Sequence, residues 1–338
     1  MIRIKYSTIF IVFFCISYAT LYASLDSTFF RDRLSYSGYY ATSSFIMLNK
    51  AYDISFIKLL TEEPLFLLLN ILLTKVFFVS NELLPHVYVF FISFIFSFYI
   101  IKKSYNLNFL ILSILMLLTV SLSFHAQLVV LRQSLATSIL LIFICNKYNL
   151  NKLIFISFIC ALIHNSFFIL LLYFLMIRYT NNDIKKNKII FISIFISLIA
   201  TTSFYVIAHY IQIRQVNYLS SNNGNSGSGL ILWGSCLLVI LLKNRHIKKI
   251  SIIDSLSIFG LFFYIINYYF LPIGGRLLIT FIPFIFISLT SGFYHKKTLP
   301  LILIFNMLFI ISNIYKLNDN TKNNSLNGNY QIYKLIGS

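Results

Sequence analysis

Acidic side chains are scarce in this chain. Its 338 residues hold 9 Asp+Glu against 27 Lys+Arg, and charged residues of either sign make up only 11%. With hydrophobic residues at 59% and a mean hydropathy of +0.84, so little charge excludes an ordinary soluble globular domain. The four cysteines, Cys15, Cys145, Cys160 and Cys236, all lie in apolar runs and form no CxxC pair. That pattern excludes a disulfide framework and a zinc cluster. There is no P-loop, no GxGxxG after a strand and no GxSxG elbow, so a soluble nucleotide-using domain is excluded as well. No D-x-D pair is present to hold a divalent metal, and we expect no metal and no other cofactor. The net charge of +18 does not indicate nucleic acid, because the aromatics sit inside apolar runs and the basic residues sit between them.

What remains is apolar length. Runs of about twenty mostly apolar residues, the length needed to cross a hydrocarbon core of roughly 30 Å, recur from end to end. Candidate spans cover 7–24, 64–80, 86–101, 107–122, 128–146, 153–177, 188–208, 230–242, 250–271, 277–293 and 299–315. They are continuously apolar rather than alternating, which selects helices over barrel strands. The expected fold is therefore an all-α polytopic membrane protein with 10–11 transmembrane helices. One integral membrane domain covers 1–317, and a polar, loosely ordered tail covers 318–338. The first apolar run reads as an uncleaved helix rather than a signal peptide.

Two polar insertions interrupt the spans. Residues 25–63 hold Asp26, Asp32, Asp53, Glu62 and Glu63 with Arg31 and Arg33, and 209–229 ends in a Gly/Ser/Asn run that reads as a mobile loop. Basic residues at Lys102–Lys103, Lys147 with Lys152, Arg178 to Lys188, Lys243 to Lys249 and Lys296–Lys297 should share the cytoplasmic side. Eleven full spans do not allow that. The conflict disappears if 64–80 and 153–177 are broken or re-entrant, with interruptions at Lys75 and at His164–Ser166; loops that violate the charge rule are the alternative. In the broken arrangement both polar insertions, His125, Arg132 and Arg276 gather at the outer face.

A few residues stand out as chemistry. Arg132 and Gln133 lie inside the first turns of "LVVLRQSLATSILLIFIC". An arginine in a span faces a cavity or partner, or else snorkels as an anchor. Its planar fork suits a phosphate or pyrophosphate. Arg276 follows two glycines in "LPIGGRLLITFIPF", where the glycines either let backbone approach a ligand or form a turn between spans. Glu63, next to Glu62 and before Pro64, suits a helix start and becomes a general-base candidate if burial raises its pKa. His164 in "ALIHNSFF" is either a satisfied packing histidine or a proton-transfer group.

These motifs resemble the EpsG-like and Wzy-type polysaccharide polymerases. Arg132-Gln133 with Ala136 and Ile139, then "ALIHNS" at 161–166, look like the family's central signature. Upstream, Glu63-Pro64-Leu65-Phe66 looks like its E-P-x-F element, and "GGRLLITFIPF" at 274–284 is similar to its late arginine-led span. The family's glycine-threonine-aspartate element has no counterpart here: the region reads "RDRLSYSGYYATSSF", with Arg31 and Tyr39–Tyr40.

The resemblance implies a bacterial inner-membrane glycosyltransferase. It would move a growing O-antigen or related glycan from undecaprenyl pyrophosphate to an incoming lipid-linked repeat unit at the periplasmic face. Charge builds on the leaving phosphate, so Arg132 and Arg276, with Arg31 and Arg214 behind them, are its expected binders together with Gln133. Glu63 or His164 would take the proton of the attacking hydroxyl. The expected partners are the undecaprenyl-pyrophosphate-linked oligosaccharide, membrane lipid and a chain-length regulator protein. A lipid-linked oligosaccharide flippase is the non-enzyme rival, although no internal duplication is visible. An O-antigen ligase shares the donor, and a membrane acyltransferase would leave the Arg-Gln block without a role.

Overall fold

The computed structural model describes residues 8–27, 30, 33–146, 149–180, 185–211, 227–268, 273–292 and 299–323, with only the backbone described for 204–211, 273 and 316–323. Among the described residues the fold is all helical, without a β-strand. Apolar helices occupy all eleven expected spans. They are α1 (Thr8–Ala23), α5 (Pro64–Ile71), α6 (Leu84–Lys102), α7 (Leu107–Thr119), α9 (Leu131–Cys145), α10 (Leu150–Ile163) with α11 (Phe167–Tyr179), α12 (Lys186–Ile211), α13 (Ser228–Lys243), α14 (Ile252–Asn267), α15 (Ile273–Thr290) and α16 (Leu299–Asn323).

Large apolar side chains remain exposed on the outer faces, among them Ile9, Phe13, Phe155, Phe191, Ile231 and Leu301. Helices apolar on both their packed and their outward faces belong to a polytopic membrane protein. Two of them, Leu84–Lys102 and Lys186–Ser203, are by themselves long and apolar enough to cross a bilayer. Among the described residues nine shorter apolar helices and the bent pair Leu107–Thr119 with Ser121–Leu128 accompany them, so the expected spans are not all full-length helices.

Breaks in the helices have local causes. Val120 is extended (ψ 116°), and the chain bends by 67° between α7 and α8 (Ser121–Leu128). His164 is also extended (φ −152°, ψ 121°) and ends α10, after which α11 turns back and packs against it. The expected break at His164–Ser166 is therefore present. At Lys75 no break occurs; α5 instead passes into a π-helical turn over Leu72–Val76.

Hydrogen bonds tie the basic loops into one end of the bundle. Lys103 Nζ donates to Cys145 O (3.2 Å), Tyr105 N to Thr290 O (3.0 Å), and Lys243 Nζ to Ser288 O (2.7 Å) and Asp254 Oδ1 (3.1 Å). Lys186 N donates to Lys248 O (3.2 Å), which joins the 180s loop to the 240s loop, and Lys188 reaches Thr180 O. Arg132 starts α9 and Cys145 ends it, about 20 Å apart at 1.5 Å per residue. Consequently α10 and α11 leave the basic end, reach the level of Arg132 at His164, and return.

Within the insertion 25–63, the stretch 33–61 is helical rather than loop. It folds into α2 (Arg33–Ser35), a π-helical stretch Tyr36–Tyr40, α3 (Ala41–Ile54) and α4 (Phe56–Thr61). Its anchor is Arg33, which is fully buried. Arg33 Nε donates to Leu128 O (3.0 Å), Nη1 to Leu25 O (2.8 Å) and Nη2 to Tyr22 O (3.4 Å), over the Phe30 ring at 4.3 Å. These carbonyls close the ends of α1 and α8, which a charged donor satisfies strongly. Arg33→Met should destabilise the protein by about 2 kcal/mol or more, because buried carbonyls lose their donors. Membrane protein level and the melting temperature in detergent would show it; wild-type values for both would refute the clamp. At the other terminus α16 runs to Asn323, while 324–338 and 212–226 of the Gly/Ser/Asn insertion lie outside the described residues.

Candidate functional site

Three helix ends meet at one ion cluster. Glu63 precedes α5, Arg132 sits in the first turn of α9, and His164 follows α10. Pro64 suits the first helical position and bars its predecessor from the right-handed helical region. Instead of the extended backbone that a following proline favours, Glu63 adopts a left-handed conformation (φ 58°, ψ 56°), which costs a residue with a β-carbon roughly 1–2 kcal/mol. Its side chain offsets that strain. Oε2 accepts from Arg132 Nη1 at 2.5 Å, while Oε1 pairs with His164 Nδ1 at 2.6 Å and accepts from Asn165 N at 3.2 Å.

Glu63 is buried, with side-chain exposure of 8% against 31% for Arg132 and 24% for His164. Burial alone would raise its pKa. The His164 hydrogen bond, the Arg132 charge, the His164 charge and the Asn165 amide together bring it below the ordinary carboxylate value. The condition under which Glu63 was a base candidate, a raised pKa, is thus reversed by its partners. An ionised carboxylate only accepts, so His164 Nδ1 carries a proton toward Glu63, and in the neutral form of the ring Nε2 presents a lone pair. Among the described residues Nε2 has no hydrogen-bond partner.

The linkage sign follows from the lowered pKa. A group with a depressed folded-state pKa stabilises above its unfolded value, about 4.3 for Glu, and loses that contribution as pH falls through the folded value. The stability difference between wild type and Glu63→Gln should not shrink between pH 8 and 5, and should shrink below about pH 4. Thermal melts of both proteins across that range test it, and convergence already at pH 6 would contradict the lowered value.

Aromatic rings frame the guanidinium. Arg132 Cζ lies 4.9 Å from the Tyr40 centroid and 5.7 Å from that of Phe66, and its backbone N donates to Tyr36 Oη at 3.4 Å. Tyr40, Glu63, Phe66, Arg132 and Asn165 line a cavity of about 130 Å³ together with Thr61. Asn165 Nδ2 donates to Thr61 O at 2.7 Å, while its Oδ1 is buried without a partner. Tyr36, Phe66 and Asn165 were not picked out as site residues from sequence; the i, i+4 spacing of Tyr36 and Tyr40 was the available signal.

Gln133 connects the cluster to α15. Its Nε2 donates to Arg276 O at 2.8 Å and to Thr280 Oγ1 at 2.5 Å. The Arg276 side chain is exposed. Gly274 and Gly275 lie in the first turn of α15 rather than in a loop between spans, and a Cβ on Gly274 would stand 3.1 Å from Asn267 Cβ of α14. That glycine therefore serves helix packing. Gln133→Ala should lower activity about tenfold through loss of this tether, with a melting temperature reduced by a few degrees. An unchanged rate in a glycan-transfer assay would separate Gln133 from the site. Arg31 and Arg214 lie outside the described residues. No group of three His, Cys, Asp or Glu suited to a metal occurs among the described residues.

The fold and this cluster define a multi-pass membrane protein with a buried Arg–Glu–His constellation where helix ends meet. The chain belongs to the EpsG family, whose profile matches residues 8–335. That membership gives it a membrane polysaccharide-polymerase-like role in general, of glycosyltransferase type. Neither a curated protein nor a solved structure matches it significantly.

Proposed function

We propose that this protein is an O-antigen or related polysaccharide polymerase. It moves the growing glycan from undecaprenyl pyrophosphate onto an incoming lipid-linked repeat unit at the periplasmic face of the bacterial inner membrane. The observation that carries the reading is the convergence of Glu63, Arg132 and His164, from positions 69 and 101 residues apart, on one cluster at the end of the bundle away from the basic loops. Basic loops favour the cytoplasm, which leaves the cluster outside.

In this mechanism the acceptor hydroxyl oxygen attacks the anomeric carbon of the donor glycan, and the bond from that carbon to the pyrophosphate oxygen breaks. His164 Nε2 takes the hydroxyl proton while Nδ1–H stays bonded to Glu63. Negative charge builds on the departing pyrophosphate, where the Arg132 guanidinium stabilises it and the exposed Arg276 adds a second cation. The donor is already activated, so no nucleotide is needed. Activity should survive a chelator such as EDTA; its loss, with recovery on added Mg²⁺, would overturn the metal-free mechanism.

Deletion and complementation in the native host test the function. A lipopolysaccharide gel that loses its ladder but keeps one repeat unit on the lipid core identifies the polymerase. Loss of the single-unit band as well would assign the protein to flipping or ligation. A chain-length regulator is the expected partner, and its deletion should redistribute the ladder without removing it.

A further inference from the structure

Beside the ion cluster lies a second cavity, of about 480 Å³. Leu65, Leu68, Leu69, Ile71, Leu72 and Val76 of α5 and its π-helical turn form one wall. All but Ile71 follow the spacing i, i+3, i+4, i+7, i+11 of a helical stripe. Pro64, Phe66, Leu67 and Asn70 on the same helix are buried, whereas Leu68, Leu72 and Val76 stay 46%, 42% and 59% exposed. Opposite stand Ile139 of α9 and Ile159 and Ile163 of α10.

Each wall is close in sequence to a member of the cluster, although the two cavities share no lining residue. Leu65 comes two residues after Glu63, Ile163 comes immediately before His164, and Ile139 lies seven residues past Arg132, about 10 Å along α9. Every lining side chain is Leu, Ile or Val, in a chain with 36 Phe and 23 Tyr. Another large cavity, of about 610 Å³ around Phe77, Phe78, Phe90, Phe91 and His86, is by contrast rich in aromatic rings. The π-helical turn that shapes one wall is a distortion found frequently at functional sites.

A fixed cation on the same helices as an open aliphatic groove fits a ligand with an anionic head and a long apolar tail. We propose that the groove holds the isoprenoid tail of the lipid pyrophosphate whose headgroup lies at Arg132; this rests on the polymerase reading above. The tail fixes the phosphate end of the donor against Arg132 and His164 before the glycan reacts, which converts part of an encounter in the membrane into a positioned one.

The test uses the full-length chain in nanodiscs of dioleoylphosphatidylcholine with undecaprenyl phosphate carrying a diazirine on its tail. After irradiation, label should concentrate in peptides containing 65–76, 139 and 159–163. Unlabelled undecaprenyl phosphate should compete, and equimolar dioleoyl phosphatidate should not. Leu68→Trp and Ile139→Trp, which fill the groove, should cut labelling at least tenfold, while Leu238→Trp on the outward face of α13 should not. Label spread equally over α13 and α16, or equal competition by phosphatidate, would reduce the groove to ordinary lipid contact and overturn the proposal. Labelling of the wild-type chain decides this even if the tryptophan variants fail to accumulate. A specifically labelled groove in a protein whose deletion leaves the ladder intact would sink the polymerase and keep the lipid site. Ladder loss without specific labelling would do the reverse.

Discussion

Arg132→Ala is expected to abolish polymer while the protein remains in the membrane at its normal amount, whereas Arg132→Lys keeps a partial product. The guanidinium donates to Glu63 at 2.5 Å and stacks near Tyr40 at 4.9 Å, so its plane is held on two sides. A group held this way needs little reorganisation when charge develops on a leaving phosphate, and removing one such donor costs about 10²–10³ in rate. Lysine keeps a charge that reaches Glu63 but gives up the flat fork and its paired hydrogen bonds. The check is a ladder gel together with immunodetection of the membrane fraction. Full-length polymer from Arg132→Ala would mean that the arginine only anchors α9 or neutralises Glu63, and the leaving-group role would fall.

The order of the apolar runs made the eleven helical regions legible, because a run apolar on every face admits few alternatives to a membrane helix. The break at His164 was legible too, since His-Asn-Ser interrupts an otherwise apolar stretch. The 67° bend at Val120 was not, because neither proline nor glycine marks it. Segment 33–61 read as loop because its apolar residues are dispersed among polar ones. Its helices are held by tertiary bonds, above all those of Arg33, which counted only as one charge among several in a polar stretch. The candidate residues were visible singly, but their meeting was not: Glu63 and His164 lie 101 positions apart, and no spacing rule spans that distance. The roles changed with the meeting. Glu63 read alone is a possible base; bonded to Arg132, His164 and Asn165, it is in the proposed mechanism a fixed anion that orients a histidine.

That division of labour predicts the second large effect. His164→Ala should reduce glycan transfer by about 10²–10⁴, the contribution of a positioned base. Glu63→Gln should also be severe, for a geometric reason. Glu63 accepts at both oxygens, from Arg132 on one side and from His164 and Asn165 on the other, and an amide offers only one acceptor. If the amide oxygen faces His164, its NH2 meets Arg132; if it faces Arg132, its NH2 drives the proton from Nδ1 to Nε2 and removes the lone pair that accepts the substrate proton. Residues that act as one unit are not additive. The double variant His164→Ala/Glu63→Gln should therefore be no more than a fewfold slower than Glu63→Gln alone. Rates for the four proteins, measured with a lipid-linked donor in nanodiscs, form the cycle. Losses that multiply would show that carboxylate and imidazole work independently, and Glu63 would then require a role toward substrate that does not pass through His164.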